Sequence, residues 1–165
     1  YLQNEWQDVR ALVNKGQGWI AGVSVSVKGK VNPNLSFYSN HNIQIGKEWN
    51  GSFDLSAPSL SHISPYFGRT GLEYAKKKWS YQLNMTYNGR KPFENLSEKE
   101  QGDVMVEGVD YFGFALMNVS LRFDWTEKLS FQFNANNLLD QHYLPFTSDI
   151  SGAGRNFIFT IQGKL

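Results

Sequence analysis

The sequence predicts an all-β protein, an antiparallel transmembrane β-barrel wall of about eight strands. Three observations carry that prediction. Apolar residues alternate with polar ones over most of the chain, the polar positions are rich in Asn, Gln and Ser, and the connections alternate between short and long. A period of two is a strand with one apolar face. Amides on the opposite face make poor core material for a soluble sandwich, but they suit a wall with hydrocarbon outside and water inside.

In chain order, the first strand-like segment covers residues 1–13 and alternates only near its end, at Val9, Ala11 and Val13. The second is clearer, with Trp19, Ala21, Val23, Val25, Val27, Gly29 and Val31 facing one way and Ser24, Ser26, Lys28 and Lys30 the other. The Asn32-Pro33-Asn34 turn leads to a third, in which Leu35, Phe37, Ser39, His41, Ile43 and Ile45 oppose Tyr38, Asn40, Asn42 and Gln44. A Ser/Pro-rich stretch runs to Pro65. Then Tyr66, Gly68, Thr70, Leu72 and Tyr74 oppose Arg69, Gly71 and Glu73. Past a turn at Lys76-Lys77-Lys78, Trp79, Tyr81, Leu83, Met85 and Tyr87 oppose Ser80, Gln82, Asn84, Thr86 and Asn88. An acidic, solvated loop is expected over 91–110. Ala115 to Trp125 form the next strand, with Asn118, Ser120, Arg122 and Asp124 inward. After Thr126-Glu127-Lys128, Leu129, Phe131, Phe133 and Ala135 oppose Ser130, Gln132, Asn134 and Asn136. A terminal strand over 156–165 should pair with 129–138.

None of the apolar-face positions named above is Asp, Glu, Lys or Arg, although these make up 19% of the chain. A lipid-facing wall supplies the reason, because a charge near the bilayer midplane costs about 2–4 kcal/mol. All five prolines fall outside the assigned strands, as ladders that need every N–H require. No run approaches the roughly 18 consecutive apolar residues of a membrane helix. With no Cys, a disulfide framework and a thiolate metal site are excluded, and a formal charge of +1 gives no nucleic-acid signal.

The end of the chain is the most specific part. Asn137-Leu138-Leu139-Asp140-Gln141-His142-Tyr143 is followed by Gly154-Arg155-Asn156-Phe157 and a short closing strand. This resembles the C-terminus of TonB-dependent outer-membrane receptors, which often reads Asn-Leu-Phe-Asp, an aromatic, a loop, then Gly-Arg-Asn-Phe. Leu139 stands where Phe is usual, and Leu165 where an aromatic is usual. Ser64-Pro65-Tyr66 through Gly71-Leu72-Glu73-Tyr74 is similar to the proline-led strand that precedes the last four strands of these receptors. Gly22-Val23 matches their Gly-Val-Glu, with Ser24 in place of the acid.

The resemblance implies that residues 1–165 are the C-terminal portion of a plugged barrel of about 22 strands, with the plug outside this sequence. It implies energy-coupled import of a scarce nutrient such as an iron chelate, a cobalamin-type compound or a glycan, in the bacterial outer membrane. The implied partners are the remainder of the barrel and its plug, an inner-membrane TonB-type energy-coupling protein acting through that plug, and outer-membrane lipid. It also leaves room for a surface lipoprotein. With the C-terminus on the periplasmic side, the tight turns lie in the periplasm and the long loops outside. Trp79 and Trp125 then flank periplasmic turns and Trp19 lies near the outer rim, a membrane girdle.

Chemistry is thin. His41, His62 and His142 are not at metal-ligand spacing, Arg122 and Asp124 form a luminal ion pair, and no nucleophile, phosphate loop, metal site or cofactor motif stands out. No catalysis is expected. The inward Asn40, Asn42, Gln82, Asn84, Asn88, Arg122, Gln132, Asn134 and Asn136 are the candidates for contact with ligand or plug. Two alternatives stay open: a complete eight-stranded outer-membrane barrel with a structural or adhesion role, and a soluble lipocalin-like carrier with an apolar interior.

Overall fold

The computed structural model describes residues 16–103, 112–146, 148 and 150–164. The first expected strand, 1–13, lies outside them. Seven strands follow: β1 (Gly18–Asn32), β2 (Leu35–Glu48), β3 (Tyr66–Lys76), β4 (Trp79–Asn88), β5 (Phe114–Asp124), β6 (Leu129–Asn136) and β7 (Asn156–Gly163). They form one sheet in sequence order, each antiparallel to the next. A single-turn 3-10 helix, Phe93–Asn95, and a short helix α1, Glu98–Asp103, lie between β4 and β5. Among the described residues no helix is long and apolar enough to cross a membrane, which says nothing against crossing by strands.

The register preserves the alternation from strand to strand. Val25 pairs with His41, His41 with Gly68, Gly68 with Tyr87, and Tyr87 with Ala115, so these lie in one row of the apolar face. Tyr38, Gly71, Asn84 and Asn118 form a row on the polar face. The terminal strand pairs with β6 as expected, Asn156 opposite Asn136 and Gly163 opposite Leu129.

Two of the tight turns are built by side chains that accept backbone N–H groups. Asn32 Oδ1 accepts from Asn34 and Leu35, both at 2.9 Å, and Thr126 Oγ1 accepts from Lys128 at 3.2 Å and Leu129 at 3.0 Å. In the third, Lys77 takes the left-handed conformation with φ 54°.

The sheet is a single layer. Among the described residues only Ala57, Leu96 and Ala135 are buried apolar side chains, while Val25 is 49% exposed, Leu83 42% and Phe159 64%. A soluble protein cannot leave so wide an apolar face in water. The face instead matches the outer wall of a barrel in hydrocarbon.

Rings from one strand lie over glycines of the next. A Cβ on Gly29 would sit 2.5 Å from Phe37 Cε1, and one on Gly71 would sit 2.5 Å from Tyr38 Cζ. The glycine is the space the ring occupies, a device that shields backbone no side chain covers.

The long connections are more ordered than the sequence suggests. The stretch after β2 runs back beside it, with Lys47 bridged to Ser59 and the Leu60 N–H donated to Gly46 O at 3.0 Å. The acidic loop is not uniformly solvated. Glu100, at 8% exposed, is buried against Lys91, because the carboxylate meets its partners inside the folded loops rather than in water.

Candidate functional site: the inward wall and the outer loops

The inward residues are hydrogen-bonded to one another across strands, as partly buried amides must be. Asn118 Nδ2 donates to Asn84 Oδ1 at 3.1 Å. Ser120 Oγ donates to Asn134 Oδ1 at 2.7 Å, and Gln132 Nε2 donates to Ser120 Oγ at 3.3 Å and Asn134 Oδ1 at 3.0 Å. Asn136 Nδ2 donates to Asn156 Oδ1 at 3.2 Å, and Gln82 Nε2 to Glu73 Oε1 at 3.1 Å and Tyr38 OH at 3.3 Å.

Of the nine inward candidates, Gln82, Asn84, Gln132, Asn134 and Asn136 line one polar trough of about 290 Å³. The others lie outside it. Asn42 Oδ1 accepts from Ser24 Oγ at 2.7 Å, Asn88 Oδ1 accepts from Ser64 Oγ at 2.5 Å, and Asn40 is exposed opposite Arg69. Arg122 Nε donates to Asp124 Oδ1 at 2.9 Å, the ion pair expected from their two-residue spacing.

Arg69 was not singled out in the sequence, yet it lines the trough. Its guanidinium lies 5.8 Å from the Tyr38 ring centroid, and among the described residues no carboxylate pairs with it. A cation in a wall of neutral amides attracts anionic groups. The available signal was an Arg on the inward face of β3 with no acid beside it on the same strand face except Glu73.

Aromatic groupings mark the outward face, among them one at each end and one between. Trp79 packs on Phe123 with centroids 4.5 Å apart and on Tyr81 at 5.9 Å, and Trp125 meets Phe123 edge-on at 6.0 Å. At the other end, Trp19 meets Phe53 edge-on at 5.5 Å, and Phe53 meets Trp49 at 5.2 Å. Among the described residues the buried Trp19 indole N–H has no hydrogen-bond partner. His41, Tyr66 and Tyr87 form a further group.

The terminal motif is a clasp. Asn137, 3% exposed with φ 48°, leaves β6 in a left-handed step. Its Nδ2 donates to Gln141 O at 2.8 Å and Ala153 O at 3.2 Å, while its Oδ1 accepts from Gln141 N at 2.9 Å. Leu138 N–H donates to Met117 O at 2.8 Å, and Asp140 Oδ1 accepts from Arg155 N at 2.8 Å, with Gly154 just before it. Tyr143 packs on Phe114 at 4.7 Å. Phe157 stacks on Phe133 at 6.0 Å, and Asn156 holds Asn136.

The outer loops are joined at Glu100. It accepts hydrogen bonds from His62 N at 2.7 Å and Ser97 N at 2.9 Å, and pairs with Lys91 at 3.1 Å. Lys91 also donates to Ile63 O at 3.3 Å and lies over the Phe146 ring at 5.1 Å. Burial alone would raise the Glu100 carboxyl; the hydrogen bonds from Ser97 and His62 and the Lys91 charge outweigh it and hold the group below its usual value. Among the described residues no group of three His, Asp or Glu is placed to hold a metal ion; Glu107 and Asp110 lie outside them.

No protein-family model and no curated protein sequence matches the chain. Solved structures do. The copper transporter OprC superposes with a TM-score of 0.70 at 16% identity, over 88% of this chain and 24% of that one. The ferric citrate transporter FecA gives 0.68 at 18%, over 90% and 24%. The ferric-catecholate import receptor Fiu of E. coli K12 gives 0.66 at 20%, over 90% and 21%. The chain spans about a quarter or less of those proteins. The likeness is one of fold: the seven-stranded antiparallel sheet matches part of the β-barrel wall of those proteins.

Proposed function

We propose that the chain supplies barrel wall and outer loops to an outer-membrane receptor that imports a scarce nutrient, such as an iron chelate, a cobalamin-type compound or a glycan, by energy coupling. The observation that carries this reading is a one-layer sheet with two chemistries: an exposed apolar face free of charge through its middle, and an amide-lined face bearing Arg69. Solved neighbours named as transporters and receptors support it. In this reading Trp19, Trp79 and Trp125 are interfacial anchors, and the inward trough faces substrate or plug. The chain itself does no bond chemistry. Energy comes from an inner-membrane TonB-type protein acting on the plug.

The test is uptake by cells producing the full-length protein that carries this chain, with radiolabelled iron chelates, cobalamin and oligosaccharides, with and without the TonB-type partner. One class of solute should accumulate only when both are present. Accumulation of none, or accumulation independent of energy coupling, would overturn the proposal.

A further inference from the structure

The apolar face carries a polar cluster among the described residues. Ser39 on β2 and Thr70 on β3 are directly opposed, with their hydroxyls 2.7 Å apart. Thr70 Oγ1 is 3.1 Å from Tyr87 OH, Tyr87 OH is 3.0 Å from His41 Nδ1, and His41 Nε2 is 2.7 Å from Ser39 Oγ. These four contacts close a ring. With the proton on either imidazole nitrogen, every member can donate to the next in one direction around it. That closure allows polar groups on a face otherwise built for hydrocarbon. Tyr66 OH adds a contact to His41 Nδ1 at 2.9 Å, and the Tyr66 and Tyr87 rings stack at 5.6 Å.

Beside the ring lies a groove of about 620 Å³, whose apolar walls are Leu72, Leu83, Met85, Ala115 and Met117. Thr70 lines it as a small side chain, and the Tyr87 ring at its edge lies over Gly68. Tyr66 opens β3 and Tyr87 stands next to the end of β4. Along β4, Trp79 and Tyr87 are eight residues apart. At about 3.3 Å per residue and a tilt near 40° that is roughly 20 Å of height, within an apolar band about 25 Å tall. The ring therefore sits near the outer boundary, where acyl chains meet headgroups.

We propose that this groove binds a neutral acylated sugar lipid of the outer leaflet, with an acyl chain along Leu72, Leu83, Met85 and Met117 and sugar hydroxyls on the Ser39–His41–Thr70–Tyr87 ring. The groove is continuous with the hydrocarbon-facing wall, so its occupant is a lipid. No Lys or Arg lines it, so a phosphate finds no counter-charge there. Each hydroxyl oxygen in the ring keeps acceptor capacity for a sugar O–H, and the half-buried Tyr66 and Tyr87 rings at the groove edge suit the C–H faces of a sugar. The inference rests on the outward assignment of this face and on the orientation with the tight turns in the periplasm, and not on import.

Native mass spectrometry of the full-length protein carrying this chain, mixed with equal amounts of diglucosyl diacylglycerol and phosphatidylglycerol of matched chains, tests it. Wild-type protein should retain the glycolipid about fivefold over the phospholipid, and Tyr66→Phe/Tyr87→Phe, which removes hydroxyls and keeps rings, should abolish the preference. Heat-modified gel mobility reports folding, and Thr70→Val replaces the double variant if that fails to fold. Equal retention, a preference for phosphatidylglycerol, or a preference that survives loss of the hydroxyls overturns the proposal. A normal preference in a protein that imports nothing counts against the receptor reading alone.

Discussion

Lys91 Nζ lies 3.1 Å from Glu100 Oε2 with both side chains more than nine-tenths buried, and through that pair the loop after β2 and the loop after β4 are fastened together. Breaking a buried pair by removing one partner strands the other charge. Lys91→Met should therefore loosen both loops by on the order of 3 kcal/mol, read as about a hundredfold faster amide exchange at His62 and Ser97. Unchanged exchange would show that the hydrogen bonds to Glu100 suffice without the cation.

The same site fixes a pH response. A carboxyl held below its unfolded value of 4.5 adds stability that is present above that value and lost as pH falls through the lower folded value. The protection factor at His62, the intrinsic exchange rate divided by the observed one, should be flat from neutral pH down to about 5 and fall only in stronger acid. In Glu100→Gln the acid-dependent step should vanish. Its persistence would place the titrating group elsewhere.

Face assignments separate by charge insertion. Leu83→Arg and Val25→Arg put a cation into hydrocarbon and should each cost about 2–4 kcal/mol or block assembly, whereas Ser26→Arg, exposed on the other face, should be tolerated. Asn84 is a poor control, since it is 5% exposed and accepts from Asn118. Urea unfolding of the barrel by gel mobility gives the comparison. Equal tolerance at all three positions would rule out the membrane wall.

Asn137→Ala removes two donated bonds and one accepted bond at a nearly buried site, and leaves Ala in a left-handed step. A loss of about 2–4 kcal/mol is expected. Asp140→Asn, whose ion pair with Arg155 is 3.7 Å long and half exposed, should cost under about 1 kcal/mol. Urea midpoints rank the two, and the reverse order would mean that the clasp is not centred on Asn137.

Strands and faces were legible because a period of two needs only local sequence. Val25, Leu83 and Phe133 stand on the face their spacing indicates. What escaped was set by register between distant residues. His41 reads as an isolated interfacial histidine until β3 and β4 bring Tyr66 and Tyr87 beside it, 25 and 46 residues away in sequence. Glu100 reads as one acid among several until His62, 38 residues earlier, donates its N–H. The terminal motif was legible as a resemblance, but nothing local showed that Asn137 is buried or that it ties Gln141 to Ala153. Arg69 was passed over because its isolation from carboxylates depends on which strands flank it.

The rings laid over glycines give these strands a heritable grammar. Gly71 with Tyr38, and Gly29 with Phe37, are sockets and plugs on neighbouring strands. A side chain gained at the socket collides with the ring, and a ring lost from the partner uncovers backbone. Neither change is neutral alone, so descendants of this chain should keep or exchange both members together, and drift at these four positions should proceed by pairs rather than by single residues.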